Sequence, residues 1–137
     1  MPAYVVLHHR SGPENCLPRR AKDHFDWLFD HGEALWTWAT DSLPEPSKPA
    51  TMSAVRLADH RREYLRYEGP LSGQRGEVAR VEWGVFEVRR AESAHYEFAL
   101  RGDRAGTVTL QRMRSELKGN GGELWYWSFL PVRAEAS

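Results

Sequence analysis

The sequence predicts a mainly β protein: a small closed or strongly curved antiparallel β-barrel of about eight strands with one short helical segment. Three observations carry this. Apolar and aromatic side chains alternate with polar ones along most of the 137 residues, the period of half-buried strands. Gly and Pro clusters interrupt those runs at short intervals. A domain with so many strands removes its exposed edges by closing on itself. The length suits one domain, residues 1–137. A 41% hydrophobic content with six Trp, five Tyr and five Phe is enough to fill a core and excludes disorder for most of the chain.

The first strand is expected near Tyr4–His9, where Tyr4-Val5-Val6-Leu7 is rich in strand-forming side chains. Residues Arg10 to Lys22 are polar, carry Pro13 and Pro18, and read as a loop. The second strand, Asp23–Phe29, places Phe25, Trp27 and Phe29 on one face and His24, Asp26 and Leu28 on the other. Its aromatic face belongs in the core. Asp30-His31-Gly32-Glu33 supplies a tight turn to a third strand, Ala34–Ala39, on which Trp36 and Trp38 share a face as core or barrel wall. Asp41 to Ala50, with Pro44, Pro46 and Pro49, lacks ladder donors and reads as a surface loop. Met52–Ala58 is the fourth strand, and Asp59 to Tyr67 reads as one or two helical turns with Asp59 as N-cap. Gly69, Gly73 and Gly76 punctuate turns before strands near Glu77–Val88, Tyr96–Arg101 and Thr107–Met113. Gly119-Asn120-Gly121-Gly122 gives a hairpin-like turn into the last strand, Glu123–Leu130, where Trp125 and Trp127 share a face. The tail 133–137 is expected to fray.

Composition excludes several classes. Nineteen basic and nineteen acidic side chains cancel, so bulk charge does not grip a polyanion. Cys16 is the one cysteine, which leaves no disulfide framework or thiolate zinc cluster. No apolar run approaches the roughly 20 residues of a membrane span, and Met1-Pro2-Ala3-Tyr4 lacks an export signal. A cytoplasmic location without membrane contact is the expectation. Neither a phosphate-loop nor a dinucleotide fingerprint nor a G-x-S-x-G elbow occurs. The basic residues are sixteen Arg and three Lys, a bias that suits phosphate contacts but also follows from a GC-rich genome.

Two clusters carry candidate chemistry. His24 and Asp26 share a strand face about 6.6 Å apart at Cα, from about 3.3 Å of rise per residue. With His8 or His9 from the first strand they could form a two-imidazole, one-carboxylate site suited to Mn, Fe or Zn. On spacing alone, a His–carboxylate hydrogen bond on a solvated face is the simpler reading. In the second cluster, His60 and Tyr64 fall on one face at i and i+4 if the segment is helical. Arg61 and Arg62 flank them, and an ordinary charged helix face accounts for the same pattern.

The order of these pieces resembles the 3′-phosphoesterase domain of bacterial DNA ligase D. That family has a strand ending in Lys-His, then His-Tyr-Asp-Phe-Arg-Leu, a Leu-Lys-Ser-Trp-Ala strand, and Asp-His-Pro-Leu-Asp-Tyr-Ala-Asp-Phe-Glu-Gly. Tyr4-Val5-Val6-Leu7-His8-His9, His24-Phe25-Asp26-Trp27, Leu35 with Trp38-Ala39, and Asp59 through Gly69 are similar in order and spacing. The likeness runs from about Tyr4 to Val88. It implies a compact barrel with a divalent ion, typically manganese, held by His9, His24 and Asp26. His60 and Tyr64 would hold or protonate the phosphate. The implied activity is removal of 3′-phosphates or 3′-ribonucleotides from a primer-template end, with a DNA ligase or polymerase as possible partner.

The chain also departs from the family. Leu28 stands where the family has an Arg, Thr40-Asp41-Ser42 replaces Pro-Lys-Gly, and the loop between His9 and His24 is longer. Loss of that cation removes a phosphate contact on the order of 3–4 kcal/mol, and Arg61, Arg62 and Arg75 are the candidates to replace it. Arg66, Arg19 and Arg20 lie near the same pieces in sequence. The expected function is therefore a metal-dependent 3′-phosphoesterase weakened by Leu28. The alternative is a weak or inactive barrel module that binds a nucleic-acid end or a repair partner.

Overall fold

A computed structural model describes residues 1–11, 23–113 and 123–132. The strands are β1 (Ala3–Arg10), β2 (His24–Asp30), β3 (Leu35–Thr40), β4 (Ala50–His60), β5 (Gly69–Pro70), β6 (Glu77–Glu92), β7 (His95–Gly102), β8 (Gly106–Arg112) and β9 (Glu123–Pro131). Hydrogen-bonded neighbours follow the order β1-β2-β3-β4-β9-β8-β7-β6, and β6 pairs back onto β1. The result is a closed eight-stranded antiparallel barrel, as expected from the sequence. The two-residue strand β5 lies outside the closure, against the start of β6. No described helix is long and apolar enough to cross a membrane.

Alternation decides what lies inside. Tyr4 and Val6 of β1, Trp27 and Phe29 of β2, Trp38, Phe86, Phe98, Trp125, Trp127 and Phe129 fill the interior. Their rings meet in tilted, edge-to-face and stacked pairs, such as Phe29 on Phe98 at 4.3 Å between centroids. One end of the interior holds an ion pair: Arg104 is 1% exposed and Glu82 3%. Arg104 donates from Nε to Glu82 Oε2 at 2.9 Å and from Nη2 to Glu82 Oε1 at 3.0 Å. Tyr4 donates its hydroxyl to Glu82 Oε2 at 2.9 Å, and burial followed by the Glu82 charge pushes the phenol upward.

The β2–β3 turn forms as the sequence predicts. Asp30 Oδ1 accepts from the Gly32 amide at 2.9 Å, and Gly32 takes φ 102°. The proline-rich stretch 41–49 lies outside the strands. Residues 12–22, the Gly119–Gly122 turn and the tail 133–137 lie outside the described residues, so the expectations for Cys16, Arg19 and Arg20 do too. The β8–β9 pair that the Gly119–Gly122 turn would close is antiparallel.

The short helical segment expected at Asp59–Tyr67 forms as a single 3-10 turn, and its start at Asp59 is corrected. Strand β4 continues to His60, and only a 3-10 turn follows at Arg62–Leu65, with no side-chain cap. Asp59 is drawn instead into pairs with His31 and Arg56. The segment 61–76 packs on the outside of the barrel because β1, β2, β3 and β6 carry apolar residues there. Val5, Leu7, Leu28, Leu35 and Val78 form a second cluster, covered by Tyr64, Leu65, Tyr67 and Leu71. This outer cluster determines where the site lies.

Candidate metal centre and adjoining groove

Three side chains converge on the outer face at the open end of the β1–β2 ladder, where His9 pairs with His24. The ligand atoms of His9, His24 and Asp26 all lie within 4.8 Å of one another, near the spread of donors that share an ion at about 2.1 Å. Asp26 Oδ1 is 2.8 Å from His24 Nδ1, and Oδ2 is 3.5 Å from His9 Nδ1. Its side chain is 3% exposed, while His9 and His24 are about a fifth exposed. A buried carboxylate between two imidazoles needs a cation or protons to offset its desolvation.

The close contact between His24 Nδ1 and Asp26 Oδ1 is not aligned as a hydrogen bond. Both atoms are buried without such a partner among the described residues. A buried imidazole nitrogen and a buried carboxylate oxygen this close, with the His9 ring beside them, form a donor set that a shared cation fits. His9 is prepared in the same sense. Its Nε2–H donates to the Arg75 carbonyl at 2.8 Å, which leaves Nδ1, on the Asp26 side, as the ligating atom. Gly76 makes this possible: it takes φ +91°, and a Cβ there would lie 1.7 Å from the Arg10 carbonyl oxygen.

The electrostatics follow from this packing. Burial pushes Asp26 up, but the neighbouring His24 and His9 rings outweigh it and hold the carboxyl at about 2. His9 is raised above the usual imidazole value, first by its contact with Asp26 and then by the Arg75 carbonyl, against the opposing effect of burial.

A groove of about 300 Å³ adjoins the triad. Its walls include His9, Asp26, His60, Arg61, Tyr64 and Arg75. His60, the last residue of β4, donates Nδ1–H to the Ala58 carbonyl at 3.0 Å and sits with its ring 5.7 Å from that of Tyr64. The two are brought together by a strand end and a 3-10 turn rather than by one helix face. Arg75 folds back on Ser72, donating from Nε to the carbonyl at 2.8 Å and from Nη2 to Oγ at 3.0 Å. Arg61 faces Glu63 at 3.2 Å.

Arg62 is a correction. It makes a two-pronged contact with Asp30, Nε to Oδ1 at 3.1 Å and Nη2 to Oδ2 at 3.0 Å, and does not line the groove. Asp30 is 8% exposed and claims the nearest guanidinium. His31, in the β2–β3 turn, stacks on Trp36 at 4.8 Å, and its Nε2 lies 2.8 Å from Asp59 Oδ2. His8 stacks on Phe25 at 4.7 Å and stays out of the triad. Leu28 is fully buried in the outer apolar cluster, so no cation occupies that position.

Sequence reasoning missed Asp59 and the Arg75 carbonyl. Asp59 stands next to His60 in sequence, which was a usable signal, whereas a main-chain acceptor gives none. The chain matches no model of a known protein family and no curated protein sequence.

Proposed function

We propose that this protein is a metal-dependent phosphoesterase that acts at nucleic-acid 3′ ends in DNA repair, removing a 3′-phosphate or 3′-ribonucleotide. The observation that carries the reading is that His9 and Asp26, two members of the His9–His24–Asp26 triad, line one groove with the His60–Tyr64 pair, although separate elements supply them. Two imidazoles and one carboxylate suit a transition ion, most simply Mn, better than Ca or Mg. When bound, the ion supplies a Lewis acid for a phosphate oxygen and a site for water.

The chain's own residues do the rest. The Ala58 carbonyl fixes a proton on His60 Nδ1, so Nε2 is the atom that takes up a second proton and, from the imidazolium, gives it to the leaving 3′ oxygen as water adds to phosphorus and the P–O bond breaks. The Tyr64 hydroxyl donates to a non-bridging oxygen. Arg75 and Arg61, at the groove wall, balance phosphate charge once they leave Ser72 and Glu63. Incubation with Mn and a labelled primer bearing a 3′-phosphate tests this. Release of phosphate by the parent, lost in His24→Ala and His60→Ala, is expected, and a parent rate no higher than that of His24→Ala sinks the reading.

A second reading rests on Leu28. Its burial leaves the groove one cation short, which favours a module that binds an end or a repair partner and turns over weakly. Retained end binding in His60→Ala, with no product from the parent, is its signature.

A further inference from the structure

All six tryptophans lie among the described residues, and Trp83 alone is exposed, at 57%. It stands on β6 beside a β-bulge. Leu7 pairs with Arg80 and Val6 with Glu82, so Val81 has no partner on β1. The bulge sets the facing of its neighbours. Without it, Arg80 and Trp83, three residues apart, would point to opposite faces.

With the bulge, both share the outer face. Arg80 lies opposite Leu7 and Trp83 opposite Val5, and Leu7 and Val5 belong to the outer cluster. Glu82 between them turns inward to Arg104. The Arg80 guanidinium sits 5.7 Å from the Trp83 ring centroid.

The backbone beneath this pair is pinned. Trp83 N donates to Asp103 Oδ2 at 2.9 Å, Asp103 N returns a bond to the Trp83 carbonyl at 3.1 Å, and Arg80 N donates to Glu68 Oε2 at 3.1 Å. The two nearby carboxylates are thus engaged by main chain. Neither Arg80 nor exposed Arg101, which lies across the ladder from Val85, makes an ion pair among the described residues.

The patch continues from the groove. Leu7 and Val78 line the groove, Leu7 is the cross-strand partner of Arg80, and Val78 precedes Arg80 by two residues on β6. From Val78 to Trp83 is roughly 13–16 Å at about 3.3 Å per residue, about four nucleotides at a stacked rise of about 3.4 Å.

We propose that Trp83, with Arg80 and Arg101 beside it, is a stacking platform for a base of the single strand whose 3′ end enters the groove. An exposed aromatic ring with one guanidinium over it and a second exposed arginine on the neighbouring strand suits a strand of bases and phosphates. The proposal rests on the reading of the groove as a 3′-end site, and the test separates the two.

Fluorescence anisotropy of the full chain, without added metal, would compare a thymidine dinucleotide and a thymidine octanucleotide, each carrying a 3′-phosphate. The parent binds the octamer more tightly. Trp83→Ala lowers octamer affinity about tenfold with little change for the dinucleotide, Trp83→Phe keeps most of it, and Arg80→Ala reduces the salt dependence by about one phosphate contact. Equal octamer affinity in the parent and Trp83→Ala, or no octamer binding by the parent, overturns the platform and leaves the patch to a protein partner. Should the parent release no phosphate with Mn while octamer binding still depends on Trp83, the platform stands and the phosphoesterase reading falls.

Discussion

Replacing Asp26 by Asn keeps the shape of the side chain and removes the charge between His9 and His24. Held at about 2 rather than at 3.8, the native carboxyl contributes about 2 kcal/mol of stability at neutral pH, at about 1.4 kcal/mol per tenfold change. Its side chain is 3% exposed, so solvent screening removes little of this. The sign is set on both sides. A depressed carboxyl stabilises above its unfolded value and loses that contribution as pH falls from about 4 towards 2. The raised His9 stabilises below its ordinary value of 6.5 and loses its contribution as pH rises through its higher folded value. Urea unfolding of parent and Asp26→Asn in chelator, at a series of pH values, reads the difference. It is expected to be largest between about pH 4 and 6.5 and to narrow on either side. A difference that stays constant from acid to alkaline pH, or an Asp26→Asn variant as stable as the parent at pH 6, refutes the buried-carboxylate reasoning.

Glu82→Gln leaves Arg104 buried without its charge partner and should lower stability by about 3–5 kcal/mol. A small shift of the denaturation midpoint, worth less than about 1 kcal/mol, would contradict this. Gly76→Ala forces the chain off the Arg10 carbonyl and moves the Arg75 acceptor from His9. Metal affinity by calorimetry should fall tenfold or more, whereas unchanged affinity would break that link. Leu28→Ala should cost about 2–5 kcal/mol through the cavity it leaves. Leu28→Arg should destabilise further without raising phosphate release, and a gain in release would show that the groove accepts a cation there.

Much of the barrel was legible because its interior and exterior alternate residue by residue. Trp27 and Phe29 against Asp26 and Leu28 is a period-2 signal that tertiary packing did not override. The turn at Asp30–Gly32 was legible through its Asp and Gly chemistry. The bulge at Val81 was not, since one unpaired residue in a long strand leaves no compositional trace, yet it decides that Glu82 faces inward and Trp83 outward. The fate of Arg104 was equally hidden, because burial of an arginine depends on a carboxylate 22 positions earlier. In the site, the residue types of the triad and of the His60–Tyr64 pair were readable. Which arginines face the groove was not: adjacent Arg61 and Arg62 diverge because Asp30, far away in sequence, captures one of them.

The proposed activity needs one ion, three ligands and a neighbouring proton donor acting on a 3′-phosphate. Titration of Mn into metal-free protein, with phosphate release from a 3′-phosphorylated primer followed in the same samples, tests it most directly. Release that saturates at one ion per chain, with His60→Ala binding the ion but releasing no phosphate, is the predicted result. Ion binding by the parent without release, or release by His24→Ala at the parent rate, would contradict it.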